Sequence, residues 1–222
     1  MRTSDERVDT WEMVLVHRLF RREYRLAPGL VRAVHDGDKA RAATVAEYLA
    51  DLTNGLHHHH AGEDDLLWPP LLERLDGNAS DLVKRMEAQH HALAALLDRV
   101  EVLLPVWART AAATARDELA DVLARTSAAL DEHLAEEETE LLPLVPGRIT
   151  RAEWDALGRR GRASLPKSPG KAFLFLGGIL QEATPEERAE FVRALPPPVR
   201  LMWRLAGERI YQRGISRVRG SR

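Results

Sequence analysis

The sequence predicts an all-α chain: an up-down-up-down four-helix bundle with a helical C-terminal extension. Three observations carry this. Ala, Leu, Arg and Glu dominate while β-branched runs are scarce, apolar residues recur at three- and four-residue spacings, and only weak punctuation separates four long periodic segments. Long helices joined by short connections fold back as antiparallel neighbours. The expected division is 1–146 for the bundle, with its helices within 10–146, and 147–222 for the extension.

The first segment, about 9–34, carries Pro28-Gly29, where a break or kink is expected. His35-Asp36-Gly37-Asp38 separates it from the second, about 39–75, and Asp76-Gly77-Asn78 closes that one. The third runs over about 79–104 with Ser80 as its expected N-cap. Residues Pro105 to Thr110 lead into the fourth, about 110–143. In the extension, Thr150-Arg151-Ala152-Glu153 and Thr184-Pro185-Glu186-Glu187 have the pattern of capping boxes that open short helices. Ser164 to Gly170 reads as a loop and Ala172 to Leu180 as an apolar helix. Pro196-Pro197-Pro198 launches a last helix to about Val218, with Leu201, Met202, Leu205 and Ile210 expected to pack down and its arginines to reach water. That basic helix is expected to dock on its own bundle or on an acidic partner.

Composition narrows the function. The 222 residues include no cysteine, which excludes disulfides, thiolate zinc sites, cysteine-ligated iron–sulfur clusters and a thiol nucleophile. Lys+Arg 32 against Asp+Glu 34 exerts no global pull on nucleic acid, and no nucleic-acid partner is expected. The opening MRTSDERVDT is too charged for a secretory signal. The longest apolar stretch, Ala172 to Leu180, falls far short of the roughly 18 residues of a membrane span. The expectation is a cytoplasmic protein. There is no phosphate-cradling glycine loop and no nucleophile elbow; Gly177-Gly178 is too isolated to count.

The informative feature is an internal repeat. His59 is followed by Ala61, Glu63, Asp64, Leu67 and Pro69; His133 is followed at the same spacings by Ala135, Glu137, Glu138, Leu141 and Pro143. Upstream, Met13 precedes His17 by four as Met86 precedes His90, and Phe20 and Leu93 follow by three. Positions i and i+4 project together from a helix, so His59 pairs with Glu63 and His133 with Glu137. Each pair sits in an apolar stripe, as do His17 and His90. Four imidazoles and two carboxylates therefore face the bundle interior. Buried carboxylates are costly unless paired or ligating, so a metal cluster is expected. Six nitrogen and oxygen donors exceed what one tetrahedral zinc takes, and four imidazoles do not suit calcium or magnesium. Mixed imidazole and carboxylate suits iron best, with manganese or zinc behind. Two non-haem irons spanned by Glu63 and Glu137, with an oxo or hydroxo bridge, use every donor.

The pattern His17, His59-x-x-x-Glu63, His90, His133-x-x-x-Glu137, with both repeats closing on Leu-x-Pro, resembles the hemerythrin-like (HHE cation-binding) proteins over roughly residues 10–146. The basic-tailed extension resembles one found in actinobacterial members. The resemblance implies a four-helix bundle around a di-iron centre that binds dioxygen, peroxide or nitric oxide. One departure stands out. Oxygen-carrying hemerythrins have HxxxH on the third helix, and Ala94 stands four residues after His90. They also end in HxxxxD, where this chain has HxxxE. One iron thus lacks its third imidazole, which favours redox chemistry over reversible oxygen carriage. Tyr24 and Tyr48 are too far along their helices to fill the gap, and Tyr211 would have to arrive from the tail.

The neighbours read less sharply. Of the run His57, His58, His59, His60, the repeat nominates His59; His58 and His60 are expected outside the ligand set, with His60 the better substitute. His91 is expected on a flank. Asp64 and Glu138 are expected to hold imidazoles in place. Glu87-x-x-His90 matches half of a ferritin-like di-iron pattern, but Leu130 stands where the second acid would be. Three functions are open at this stage: binding or reducing a small oxygen or nitrogen oxide species, sensing or iron storage without catalysis, and oxygenation of an organic substrate in a pocket roofed by the extension.

Overall fold

The computed structural model describes residues 8–220, so most of the charged opening segment lies outside the described residues. The chain is all-α. Four long helices make the bundle: α1 (Trp11–Arg32), α2 (Lys39–Leu66), α4 (Asn78–Thr110) and α5 (Ala113–Glu136), with the short α3 (Trp68–Arg74) between the second and third. Helix α1 packs on α5, α2 on α4, and α4 on α5. Asp38 caps α2 by accepting from the Arg41 amide, which satisfies one of the amides a helix start leaves free.

Helix α1 passes through Pro28 without the break, one of the two outcomes expected at Pro28-Gly29. The second segment, by contrast, is two helices, because Pro69 and Pro70 supply no amide to continue α2 and instead open α3. Helix α4 starts at Asn78 after Gly77, not at a Ser80 cap, and runs through Pro105 to Thr110. Trp107, fully buried, holds that last turn in the core and offsets the hydrogen bond Pro105 cannot make. Ala111 then ends the helix in the left-handed region at φ 50°.

The chain leaves α5 through a π-helical turn, Glu137–Leu141, and a short 3-10 turn, Leu142–Leu144. The extension is α6 (Arg151–Ala163), α7 (Pro169–Gln181), α8 (Pro185–Ala194), α9 (Pro197–Met202), a second π-helical turn (Trp203–Gly207) and α10 (Glu208–Arg219). Both expected capping boxes are present: Thr150 with Glu153, and Thr184 with Glu187.

Helix α6 lies on α2, α7 on α1, and α10 on α7 and α2. Ion pairs add to these contacts: Arg22 of α1 meets Glu182 at the end of α7 at 2.6 Å, and Arg18 of α1 meets Glu187 of α8 at 2.9 Å. Arg219 reaches the fully buried Glu23 carboxylate at 2.9 Å, so the basic last helix docks on its own bundle. The expected inner face of the tail is wrong in part. Leu201, Met202 and Leu205 are exposed, while Trp203, Gly207, Tyr211, Ile215 and Val218 face inward. The π-helical turn at 203–207 adds a residue to the turn and shifts the inward face relative to a straight helix.

Two apolar cores fill the bundle. The larger gathers Leu19, Phe20, Leu56, Leu93 and Leu134; the smaller gathers Met13, Leu67, Trp68, Met86 and Leu141. His17, Glu63, His90 and Glu137 fall between those neighbours along their helices, and His133 directly precedes Leu134. A polar layer therefore separates two dry regions.

Candidate metal centre

Every long helix contributes to that layer. His17 comes from α1, His59, His60 and Glu63 from α2, His90 from α4, and His133 from α5, with Glu137 opening the π-helical turn. His17, Glu63, His133 and Glu137 are wholly buried, and His60 and His90 nearly so. His59 is partly exposed, at 12% of its side chain.

The donors fall into two groups whose candidate ligand atoms lie within 4.8 Å of one another: His60, His90 and His133 in one, His17, His59 and Glu63 in the other. The carboxylates span them. Glu63 places Oε1 3.3 Å from His59 Nε2 and Oε2 3.5 Å from His90 Nε2. Glu137 Oε2 lies 3.5 Å from His17 Nε2 and 3.6 Å from His133 Nε2.

Outer partners fix three of the rings. His90 Nδ1 donates to Asp64 Oδ1 at 2.7 Å, and Asp64 is itself held by Trp68 Nε1 at 2.9 Å. His17 Nδ1 donates to Glu138 Oε1 at 3.1 Å, which Arg21 also holds. His133 Nδ1 donates to Gln89 Oε1 at 2.9 Å, and the Gln89 amide donates to Glu136. Carboxylates and amide oxygens only accept, so Nδ1 carries a proton in each ring, and the neutral form of such a ring turns its Nε2 lone pair inward.

Those inward atoms have no protein partner of their own. His17, His59 and His60 Nε2, and both oxygens of Glu63 and Glu137, are buried without a hydrogen bond. His90 and His133 Nε2 face each other at 3.2 Å, and with both lone pairs turned inward that contact repels unless a cation lies between. Burial, followed by the neighbouring imidazoles, pushes the His133 pKa down to about 3 and those of His59 and His60 well below the usual range. Burial raises Glu63, with Glu137 adding to it, and raises Glu137 as well. Neutral imidazoles are the ligating form. A shell of inward lone pairs with nothing to meet them is the arrangement a cation completes, and the donor set fits the expected iron pair.

The remaining candidates separate. Asp64 and Glu138 sit behind His90 and His17. His91 is exposed and His58 turns to a cavity beside α2. His57 pairs outward with Glu101 at 3.5 Å. Gln89 is an orienting residue that the sequence did not single out; it immediately precedes His90 yet anchors His133 across the bundle. Tyr24 bonds to Thr53, and Tyr211 bonds to Gln181, so neither is turned to the centre.

That cavity, of about 570 Å³, lies between α1 and α2 and the extension, and His59 forms part of its wall. No described helix is long and apolar enough to cross a membrane.

A four-helix bundle with a buried layer of imidazoles bridged by carboxylates is a helical metal-binding protein. The chain belongs to the hemerythrin HHE cation-binding domain family, whose profile matches residues 9–145. No curated protein and no solved structure matches the chain.

Proposed function

We propose that the protein holds two non-haem iron ions and binds or reduces a small oxygen or nitrogen oxide species at them. The proposed ligands are His17, His59, Glu63, His90, His133 and Glu137, with His60 as a seventh. The observation that carries the reading is the reach of Glu63 to both histidine groups, 3.3 Å to His59 and 3.5 Å to His90. A carboxylate so placed can hold a cation at each of the two groups, one through each oxygen.

Iron, when bound, supplies one-electron changes between ferrous and ferric states, and an open position for a small ligand. The chain supplies the rest. His60, His90 and His133 give one group three imidazoles, and His17 and His59 give the other two. The group with fewer imidazoles is the one beside the cavity, so it is the natural place for an incoming molecule. Asp64, Glu138 and Gln89 hold ring orientation through Nδ1, which keeps Nε2 inward and raises its basicity. The apolar layers above and below exclude water, with Phe20 5.4 Å from the His59 ring. In this reading the bundle, 1–146, carries the centre and the extension, 147–222, shields its open side.

The test is quantification of iron in protein reconstituted with ferrous salt, with absorption spectra taken with and without air. About two irons per chain and an oxygen-dependent spectrum support the reading. Peroxide turnover that disappears in His59→Ala with helicity intact supports the reductive branch. Fewer than two irons per chain overturns it. The cavity favours a second reading, oxygenation of an organic substrate.

A further inference from the structure

The cavity beside His59 is too large for its neighbours to be its only purpose. An engineered void of about 150 Å³ in a well-packed core already admits benzene, and small-molecule sites occupy roughly 300–1,000 Å³. At about 570 Å³ this one belongs with the latter. Dioxygen or peroxide would need only a narrow channel.

Its walls come from both parts of the chain. Val16 and Phe20 of α1 face Leu157 of α6, Ile179 of α7, Phe191 of α8 and Leu165 of the α6–α7 loop. The α2 side is kept low by glycine. A Cβ on Gly55 would come within 2.9 Å of the Phe175 ring, and one on Gly62 within 3.3 Å of Leu157. These glycines let the extension close over α2, yet the apolar side chains stand apart instead of filling the space. Large apolar groups left lining a chamber expose surface that a ligand would remove from water.

The three acids of the lining each have a cation beside them, one of which, Lys171, stands outside the lining. Asp51 pairs with Lys171 at 2.7 Å and Asp155 with Arg151 at 2.9 Å. Glu12 lies in the field of Arg151 and Arg162. Each lining acid is thus offset by a neighbouring cation, and none stands alone to select an ion. The His59 ring closes one side, with its Nε2 buried and unpartnered.

We propose that this cavity binds a neutral, largely apolar organic molecule, seated against the His59 side of the metal centre. The placement beside iron rests on the function proposed above; the binding does not. The ligand touches α1 and α2 together with α6, α7 and α8, so it joins bundle and extension as well as sitting beside the centre.

The test uses the full chain, metal-free and iron-loaded, titrated with N-phenylnaphthylamine, a neutral apolar dye that brightens out of water. Saturable binding of one dye per chain is expected in both forms, weakened by about tenfold or more in Val16→Trp, which fills the chamber from α1. Leu165→Trp, at a half-exposed loop position, should act likewise and guards against a folding defect in the first variant. Both variants should keep wild-type helicity. In iron-loaded protein the bound dye should shift the absorption of the centre. Absence of saturable binding, or wild-type binding in both folded variants, overturns the site. Binding without the shift in protein that carries iron overturns the seat against His59. If the chain takes up no iron, the proposed function fails while the metal-free titration still decides the cavity.

Discussion

The His60 ring stacks on that of His90, with centroids 4.2 Å apart and planes inclined by 19°. His59, one residue earlier, meets His17 instead, at 5.0 Å. Consecutive residues on a helix point about 100° apart, and α2 lies against both α1 and α4, so neighbours on α2 can serve opposite halves of one centre. His60 thus joins His90 and His133 in a group of three imidazoles, although Ala94, four residues after His90, offers none. Iron-reconstituted His60→Ala should hold about one tightly bound iron instead of two, since the three-imidazole group loses a ligand. His58→Ala should leave the stoichiometry unchanged. Metal analysis after exhaustive dialysis distinguishes them.

Asp64 fixes His90 while Trp68 fixes Asp64. Asp64→Ala should weaken iron binding about 10- to 100-fold without unfolding the bundle, as loss of an orienting acid does at other metal sites. Competition with a chelator of known affinity measures it. Gln89→Ala should act in the same direction through His133, and by less, because an amide oxygen is a weaker acceptor than a carboxylate.

The fold class and the six repeat positions were legible because two hairpins carry them in register, and helical periodicity alone turns them inward. His60 was legible only as a substitute for His59, because the repeat assigns one histidine to each helix and says nothing of a neighbour that serves the other half. The docking of the extension was equally hidden. Gly177 and Gly178 show no pattern in the sequence, yet they are where α7 meets α10 and α1. Leu201, Met202 and Leu205 were misplaced because no residue pattern marks a π-helical turn.

Loading should release protons. In the metal-free chain burial raises the Glu63 and Glu137 pKa values, so these carboxyls hold protons at a pH where exposed ones would not. A divalent ion must displace them. A weakly buffered solution carrying an indicator dye, set just above the ordinary carboxylate pKa of 4.5, should therefore acidify as ferrous or zinc ion is added. Glu63→Gln should release less acid per ion bound. A release no smaller than wild type would show that the protons come from elsewhere.

Arg74 and Glu153 tie α3 to α6 at 2.7 Å. The Arg74 hydrogen bond, followed by the Thr150 amide, lowers the Glu153 pKa from 4.5 to about 2. A depressed folded-state pKa gives stability that is complete above the unfolded value and fades as pH falls through the folded one. The stability difference between wild type and Arg74→Ala should therefore be constant from neutral pH to about 5 and shrink between 4.5 and 2. Both groups are partly exposed, so the whole effect is small and salt should diminish it. Urea midpoints at a series of pH values read it out.

Gly177 lies where α7 meets α10. A Cβ there would stand 2.6 Å from the Cβ of Tyr211, so the two helices would have to move apart, since the obstruction includes the root of the side chain and not only its mobile end. Tyr211 is buried and its hydroxyl is bound to Gln181, which leaves it no free rotation out of the way. Alanine within a helix otherwise gains about 0.5–1 kcal/mol over glycine, so backbone propensity and packing oppose each other here. Overpacking typically costs about 1–3 kcal/mol, and packing should win: Gly177→Ala lowers the urea midpoint. Gly161 on α6 isolates the propensity effect, because a Cβ there meets nothing within 4 Å. Gly161→Ala should raise the midpoint. If both substitutions stabilise, α10 does not lie against α7 as described, and the docked tail that encloses the His59 side of the bundle loses its anchor.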